Sequence, residues 1–270
     1  MTARDRDNEE LEKLHREFRS LQLMAYAMIG MVVLVIVVSV MRIFLLTFLF
    51  LAAAVLFQLF VFRRKQKEYT THVMQENVRR TIGPLLGTDE VKTDGSADLR
   101  AEMVAGSELV PVIKKEGTVN FYAAVSGQTG AGNKKMKVTA SDVTIAVPAL
   151  SVKGGAEILC GNWVHIDMAP EGAADGYDIK VRNGNLPAGT GGAALPARFS
   201  KQLAELVRFT PGKVHLRVLN GNADVFIQDR FLDAGFSPRA DVTPALLERN
   251  PLPELEKVLD LIWTLRNTDR

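Results

Sequence analysis

Two stretches of this 270-residue chain have residue types and spacings that could do chemistry. The first is VSGQTGAGNKKMKV, Val125 to Val138, with the glycine density of a phosphate-binding loop and Gly127 and Gly132 at the separation found in G-x-x-x-x-G-K-[ST]. Such a loop works because its last glycine leads directly into Lys-Ser/Thr and a helix starts there, aiming backbone amides at the anion. Here Asn133 separates Gly132 from Lys134, and no Ser or Thr follows. The next residues, KKMKVTASDVTIAV, alternate with period two, so Met136, Val138 and Ala140 share one face of a strand and Lys135, Lys137 and Thr139 the other. The spacing predicts a strand-to-strand connection in which the glycines supply turn conformations, and no nucleotide is expected as a partner.

The second stretch is ILCGNWVHIDM. His165 and Asp167, two apart on a predicted strand, share a face with Trp163, while Val164, Ile166 and Met168 point the other way. A histidine beside a carboxylate in a groove can do acid–base work; on the solvated face of a sheet the same pair is ordinary polar surface. Cys160, just upstream, reads as a small core residue, since the local sequence sets no base beside it. A single cysteine excludes an intramolecular disulfide framework and C-x-x-C metal ligation, and His15, His72, His165 and His215 are too scattered for a local metal motif. No catalytic, cofactor-binding or metal-ligating residue is therefore assigned. If a site is assembled from non-local residues, His165 and Asp167 are its candidates.

What must position these residues begins with a 40-residue apolar run, Leu23 to Phe62, broken by one charge, Arg42. A bilayer core of roughly 30 Å needs about 20 apolar helical residues, so the run divides into spans Leu23–Met41 and Ile43–Phe62 with Arg42 at a tight turn, its guanidinium reaching toward headgroups. The run is too long for a signal peptide and lacks its cleavage site. Lys and Arg cluster on the outer flanks: Arg4, Arg6, Lys13, Arg16 and Arg19 before the first span, and Arg63, Arg64, Lys65 and Lys67 after the second, with Arg42 alone in the turn. By the positive-inside rule both termini are expected in the cytoplasm. Residues 1–67 hold ten Lys and Arg against six Asp and Glu, whereas the whole chain has a net charge of +2, which leaves −2 for the rest. The basic excess belongs to the anchor, and the remaining domain lacks the footprint of a nucleic-acid binder.

Residues 1–22 read as an amphipathic helix with a stripe of Leu11, Leu14, Phe18 and Leu21, and residues 63–88 as a juxtamembrane helix and linker with Tyr69, Val73 and Ile82, ended by Gly83-Pro84. The two stripes are expected to pack on each other or to join another copy of the chain. From residue 89 to 270 the chain reads as one α+β domain. VKTDGSAD is an exposed linker, RAEMVAGSELV a short helix, and there follow the alternating sets Val119/Phe121/Ala123/Val125, Met136/Val138/Ala140, Val143/Ile145/Val147, Val164/Ile166/Met168, Tyr177/Ile179/Val181 and Val214/Leu216/Val218. These predict a mostly antiparallel sheet, with Asn220-Gly221 as the turn of its clearest hairpin. Two helices come late: one with Phe199, Leu203, Leu206 and Val207 on one face, and a terminal segment opened by Thr243-Pro244 with the stripe Leu255, Val258, Leu259, Ile262 and Leu265.

This order of parts, two adjacent N-terminal spans, a basic juxtamembrane helix, ILCGNWVHIDM in mid-domain and the late hairpin VHLRVLNGNADVFIQDRF flanked by helices, resembles bacterial membrane proteins of domain-of-unknown-function family 3137. The resemblance implies a bacterial inner-membrane protein with a cytosolic domain and brings no catalytic residues. The expectation is a transmembrane helical hairpin carrying a cytosolic α+β module that binds a protein partner or its own copies without catalysis. The competing expectation is a membrane-anchored enzyme built around His165 and Asp167.

Overall fold

Two long helices with fully exposed apolar middles dominate the first third of the chain, each long and apolar enough to cross a membrane. The structure, a computed structural model, describes residues 3–88, 91–92, 99–112, 118–130, 135–148, 155–168, 178–182, 195–232 and 240–267. Helix α1 (Ala3–Val40) is continuous, so the amphipathic tail and the first span are one element. The turn at Met41–Ile43 needs no glycine because Arg42 itself takes a left-handed φ of 60°. Helix α2 (Phe44–Leu56), a π-helical segment (Phe57–Phe62) and α3 (Arg63–Thr81) then run back as one rod.

The chain divides into two units, residues 1–77 with 235–249, and residues 78–234 with 250–270. In the first unit the predicted stripes meet within one chain. Leu14, Phe18 and Leu21 of α1 and Tyr69 and Val73 of α3 are buried, and the Phe18 and Tyr69 rings lie 5.8 Å apart. Glu17 accepts from His72 Nδ1 at 2.9 Å through each of its oxygens. The 240–249 segment is held to the same helices: His15 Nε2 donates to the Val242 carbonyl (2.8 Å), Tyr69 to that of Ala240 (3.2 Å), and Asn77 Nδ2 to those of Leu246, Leu247 and Arg249. Burial, with the nearby charges of Asp241 and Glu17, pushes the Tyr69 hydroxyl up to about 12. The terminal segment is two helices rather than one, a single turn in this unit (Pro244–Leu247) and a longer helix in the other (Glu254–Arg266), separated by a stretch that contains Pro251 and Pro253. Thr243 caps the first of them as predicted, its Oγ1 accepting from the Leu246 amide.

The second unit takes in the last turn of α3 and then α4 (Gly83–Leu86), so Gly83-Pro84 reshapes the helix rather than ending it; Gly87, in the left-handed region, makes the stop. The remaining elements are β1 (Val91–Lys92), α5 (Ala101–Gly106), β2 (Val119–Thr129), β3 (Met136–Pro148), β4 (Ala156–Asp167), β5 (Asp178–Val181), α6 (Ala197–Phe209), β6 (Val214–Leu219), β7 (Asn222–Gln228), and, after the single turn α7 (Pro244–Leu247), α8 (Glu254–Arg266). The architecture is α+β, as the sequence predicts. One antiparallel sheet has the order β1-β2-β3-β4-β7-β6-β5. The Asn220-Gly221 hairpin is present, both residues at positive φ.

Two features of register differ from the alternation read in the sequence. Phe121 pairs with Val143 but Ala124 with Ser141, so β2 carries one extra residue, and Val119 and Phe121 do not share a face with Val125. Met136 to Val147 form one strand whose apolar side chains change face at Ser141-Asp142. The sheet therefore has two half-faces to cover. On the front, Val143, Ile145, Val147, Trp163 and Phe226 form a core with Leu99, Val104, Leu109 and Val110 from the segment around α5. On the back, Val138, Ala140, Val164, Ile166, Val225, Leu216, Val218 and Ile179 are all buried. Helices α6 and α8 bury Phe199, Leu203 and Leu206, and all five residues of the predicted terminal stripe. The two helices are joined by the Thr264–Gln202 bond (2.7 Å) and tied to the start of β3 through Arg266 and the Lys135 carbonyl (2.7 Å). Asp142, at the change of face, accepts from Asn162 Nδ2 and the Leu232 amide, which satisfies a buried carboxylate.

Candidate functional site

Beside the front core, directly opposed residues on neighbouring strands form a polar row across the sheet: Ser126, Thr139, His165, Asp224, Arg217 and Lys180. Opposed residues on antiparallel strands place their side chains on one face within about 5 Å, so this row is a consequence of register. At its centre His165 Nδ1 donates to Asp224 Oδ1 at 2.9 Å, and the Trp163 indole donates to the same oxygen at 3.0 Å. His165 and Asp224 are 16% and 13% exposed. Toward one end Ser126 and Thr139 bond each other through their hydroxyls (3.0 Å). Toward the other, Arg217 pairs with Asp178 and Lys180 with Glu108 (3.1 Å), whose carboxyl is held below the usual range chiefly by that lysine.

The sequence pairing of His165 with Asp167 is replaced by a pairing with Asp224, 59 residues away. Asp167 shares the face, but its register partners are Lys137 and Asn222. The expectation of a solvated face is also corrected at Trp163, which is fully buried beneath the α5 segment. Cys160 lies on the opposite face of β4 from His165, next to Thr144. The sequence does hold a signal for Asp224: in NADVFIQ it is the lone carboxylate on a strand whose register the Asn220-Gly221 turn already determines.

Chemically, the Asp224 bond holds the imidazole with its proton on Nδ1 and directs Nε2 away, the tautomer a general base uses. Among the described residues no side chain bonds Nε2. Thr139, the hydroxyl opposite the ring, is buried and bonded to Ser126. One strand pair along, His215 lies tilted against Phe226 with ring centroids 6.0 Å apart, completing the row Trp163, Phe226, His215. Burial, aided by the positive charges of Lys213 and Arg182, lowers its pKa.

The glycine stretch starts at the Ser126 end of the polar row. Gly127 sits inside β2 opposite Val138, and a Cβ there would collide with the Leu86 carbonyl. The next element after the stretch is the strand β3, as predicted, so the geometry is strand–connection–strand; residues 131–134, Lys134 among them, lie outside those described.

On the back face, past the point where β7 stops pairing with β4, a group of side chains extends over three strands. Tyr122, bonded to Thr144 Oγ1 (3.2 Å), shares this part of the face with Cys160, opposite Thr144, and with the opposed pair Ala146 and Ile158; Tyr122 is 52% and Ile158 66% exposed.

Comparison with known proteins found no family model, no curated protein and no solved structure that matches the chain.

Proposed function

We propose that the protein is anchored in a bacterial inner membrane by the α1–α2 hairpin, with both termini cytoplasmic, and that its sheet domain is a cytosolic binding or scaffold module without catalytic activity. Its order of parts, which resembles domain-of-unknown-function family 3137, supports the same cellular setting. The observation that carries the binding reading is the Tyr122–Ile158 group. Two large side chains, Tyr122 and Ile158, stand exposed on one face of the sheet beside small, part-buried neighbours, the make-up of a protein contact. The partner is a protein, the chain's own second copy included.

Orientation is tested by reporter fusions after Met41 and after Lys67. An extracytoplasmic signal at the first and a cytoplasmic one at the second is expected, and the reverse pattern overturns the orientation. For the contact, the chain's single cysteine is a built-in probe. If two copies meet at the patch, oxidation in membranes gives a Cys160-linked dimer that Ile158→Asp abolishes; a chain that stays monomeric under oxidation leaves only a different protein as the partner. A second reading, a membrane-anchored enzyme, rests on the His165–Asp224 pair with its outward Nε2. It requires an activity that His165→Gln removes while the fold persists.

A further inference from the structure

The π-helical segment Phe57–Phe62 closes with the Arg63 amide bonded to the Gln58 carbonyl, five residues back. π-bulges are uncommon in helices and recur at functional positions, because the widened turn re-aims side chains that a regular helix would place elsewhere. Here Gln58 and Phe62, with Gln66 one turn on, line a cavity of about 410 Å³ against α1. Its α1 wall runs from Phe18 and Leu21 through Gln22 to Ala25 and Met28. The Gln58 amide oxygen is shielded from solvent and meets no donor in the protein.

Position gives the cavity its character. Gln58 precedes the end of the second span by four residues, about 6 Å at 1.5 Å per residue. Gln22 and Gln66 fall just outside the spans, next to the cationic group Arg19, Arg63, Arg64 and Lys67. The recess is thus apolar on its bilayer side, carries three amides among Phe18, Leu21 and Phe62 near the span ends, and is bordered by basic residues of which Arg64 is paired with Glu68. An amide oxygen at that depth is costly unless something donates to it.

We infer that this cavity seats one phospholipid whose headgroup carries N–H or O–H donors, of the phosphatidylethanolamine kind, with the headgroup folded into the recess so that a donor meets Gln58. The inference rests on the membrane reading above.

The test uses the full chain in detergent with two zwitterionic probes of identical acyl chains, phosphatidylethanolamine, which has N–H donors, and phosphatidylcholine, which has none. Native mass spectrometry reads how much of each stays bound. Ethanolamine lipid should be retained roughly three-fold or more over choline lipid, the scale of one hydrogen bond. Gln58→Leu should erase that ratio without lowering the melting temperature, and Gln58→Met serves if the leucine variant does not fold. Equal retention of both lipids, as for a water-filled recess, overturns the inference. So does a preference that survives loss of Gln58, or a disulfide between copies of a Gln58→Cys, Cys160→Ser chain, which would put a second copy in the cavity. Release of the chain from membranes by alkaline carbonate would sink the membrane reading and this inference with it; an integral chain without a headgroup preference sinks only the inference.

Discussion

Replacing Asp224 with alanine isolates the central claim about the polar row, that a single carboxylate oxygen holds both Trp163 and His165. The substitution removes the acceptor for both. A hydrogen bond to a charged group contributes about 1.5–3 kcal/mol, and a buried donor left without a partner costs about 1–3 kcal/mol. The two donors do not lose equally. Trp163 is fully buried, so its indole N–H bears the whole penalty, whereas His165 can turn partly toward water. The expected loss is about 2–4 kcal/mol, which in a domain of this size lowers the melting temperature on the order of 5–15 °C. Asp167→Ala, at the strand end, should cost no more than about 1 kcal/mol.

The assay is thermal unfolding of the full chain in detergent, followed by far-ultraviolet circular dichroism, a signal that substitution of Trp163 leaves in place. Pairing Asp224→Ala with Trp163→Phe sharpens it. Once the indole donor is gone, loss of the acceptor should cost about 1–3 kcal/mol less than in the parent. Strict additivity of the two changes, or a larger effect from Asp167→Ala than from Asp224→Ala, would refute the assignment.

Two further outcomes are expected. The lowered pKa of His215 means that the unfolded chain takes up its proton first, so stability present above the ordinary histidine value of 6.5 is lost as pH falls through it toward the folded-state value; unfolding midpoints measured against pH should show this acid-side loss in the parent and less of it in His215→Gln. In α8, Leu259→Ala should destabilise by about 2–5 kcal/mol, since the helix face is core. An unchanged melting temperature with lost membrane or partner association would instead make that stripe a docking face.

What could be read from the sequence was periodicity within single elements. The apolar run, the stripes Leu14/Phe18 and Tyr69/Val73, the Asn220-Gly221 turn and the α8 face each depend on spacing that a short window contains. What could not be read was relations between strands. The extra residue between Phe121 and Ala124 leaves a local pattern that still alternates acceptably, and only the Val143 and Ser141 pairings expose it. For the same reason His165 was matched to its neighbour Asp167. Two residues of one strand lie about 7 Å apart along it, while the opposed residue on the next strand lies near 5 Å, so the cross-strand carboxylate has the shorter reach. The π-helical segment was hidden for a different reason. FQLFVF is apolar in any helical geometry, and only the glutamine within it hints at a special position.

The two faces of the sheet carry opposite kinds of free energy, and this bears on where a partner would bind. On the front, a ligand that engages any group of the row other than His165 Nε2 must compete with bonds already made, since Asp224 is engaged twice, Thr139 with Ser126, and Arg217 and Lys180 with carboxylates. Each exchange trades one satisfied polar contact for another and yields little net gain. At the Tyr122–Ile158 group nothing need be broken except the Tyr122–Thr144 hydroxyl contact. Covering apolar area there is favourable by about 25 cal/mol per Å². A partner that buries these two side chains gains from the outset, whereas one that targets the polar row must first repay what the fold has satisfied. This asymmetry favours the back-face patch over the polar row for the proposed contact, while the His165–Asp224 bond links β4 to β7.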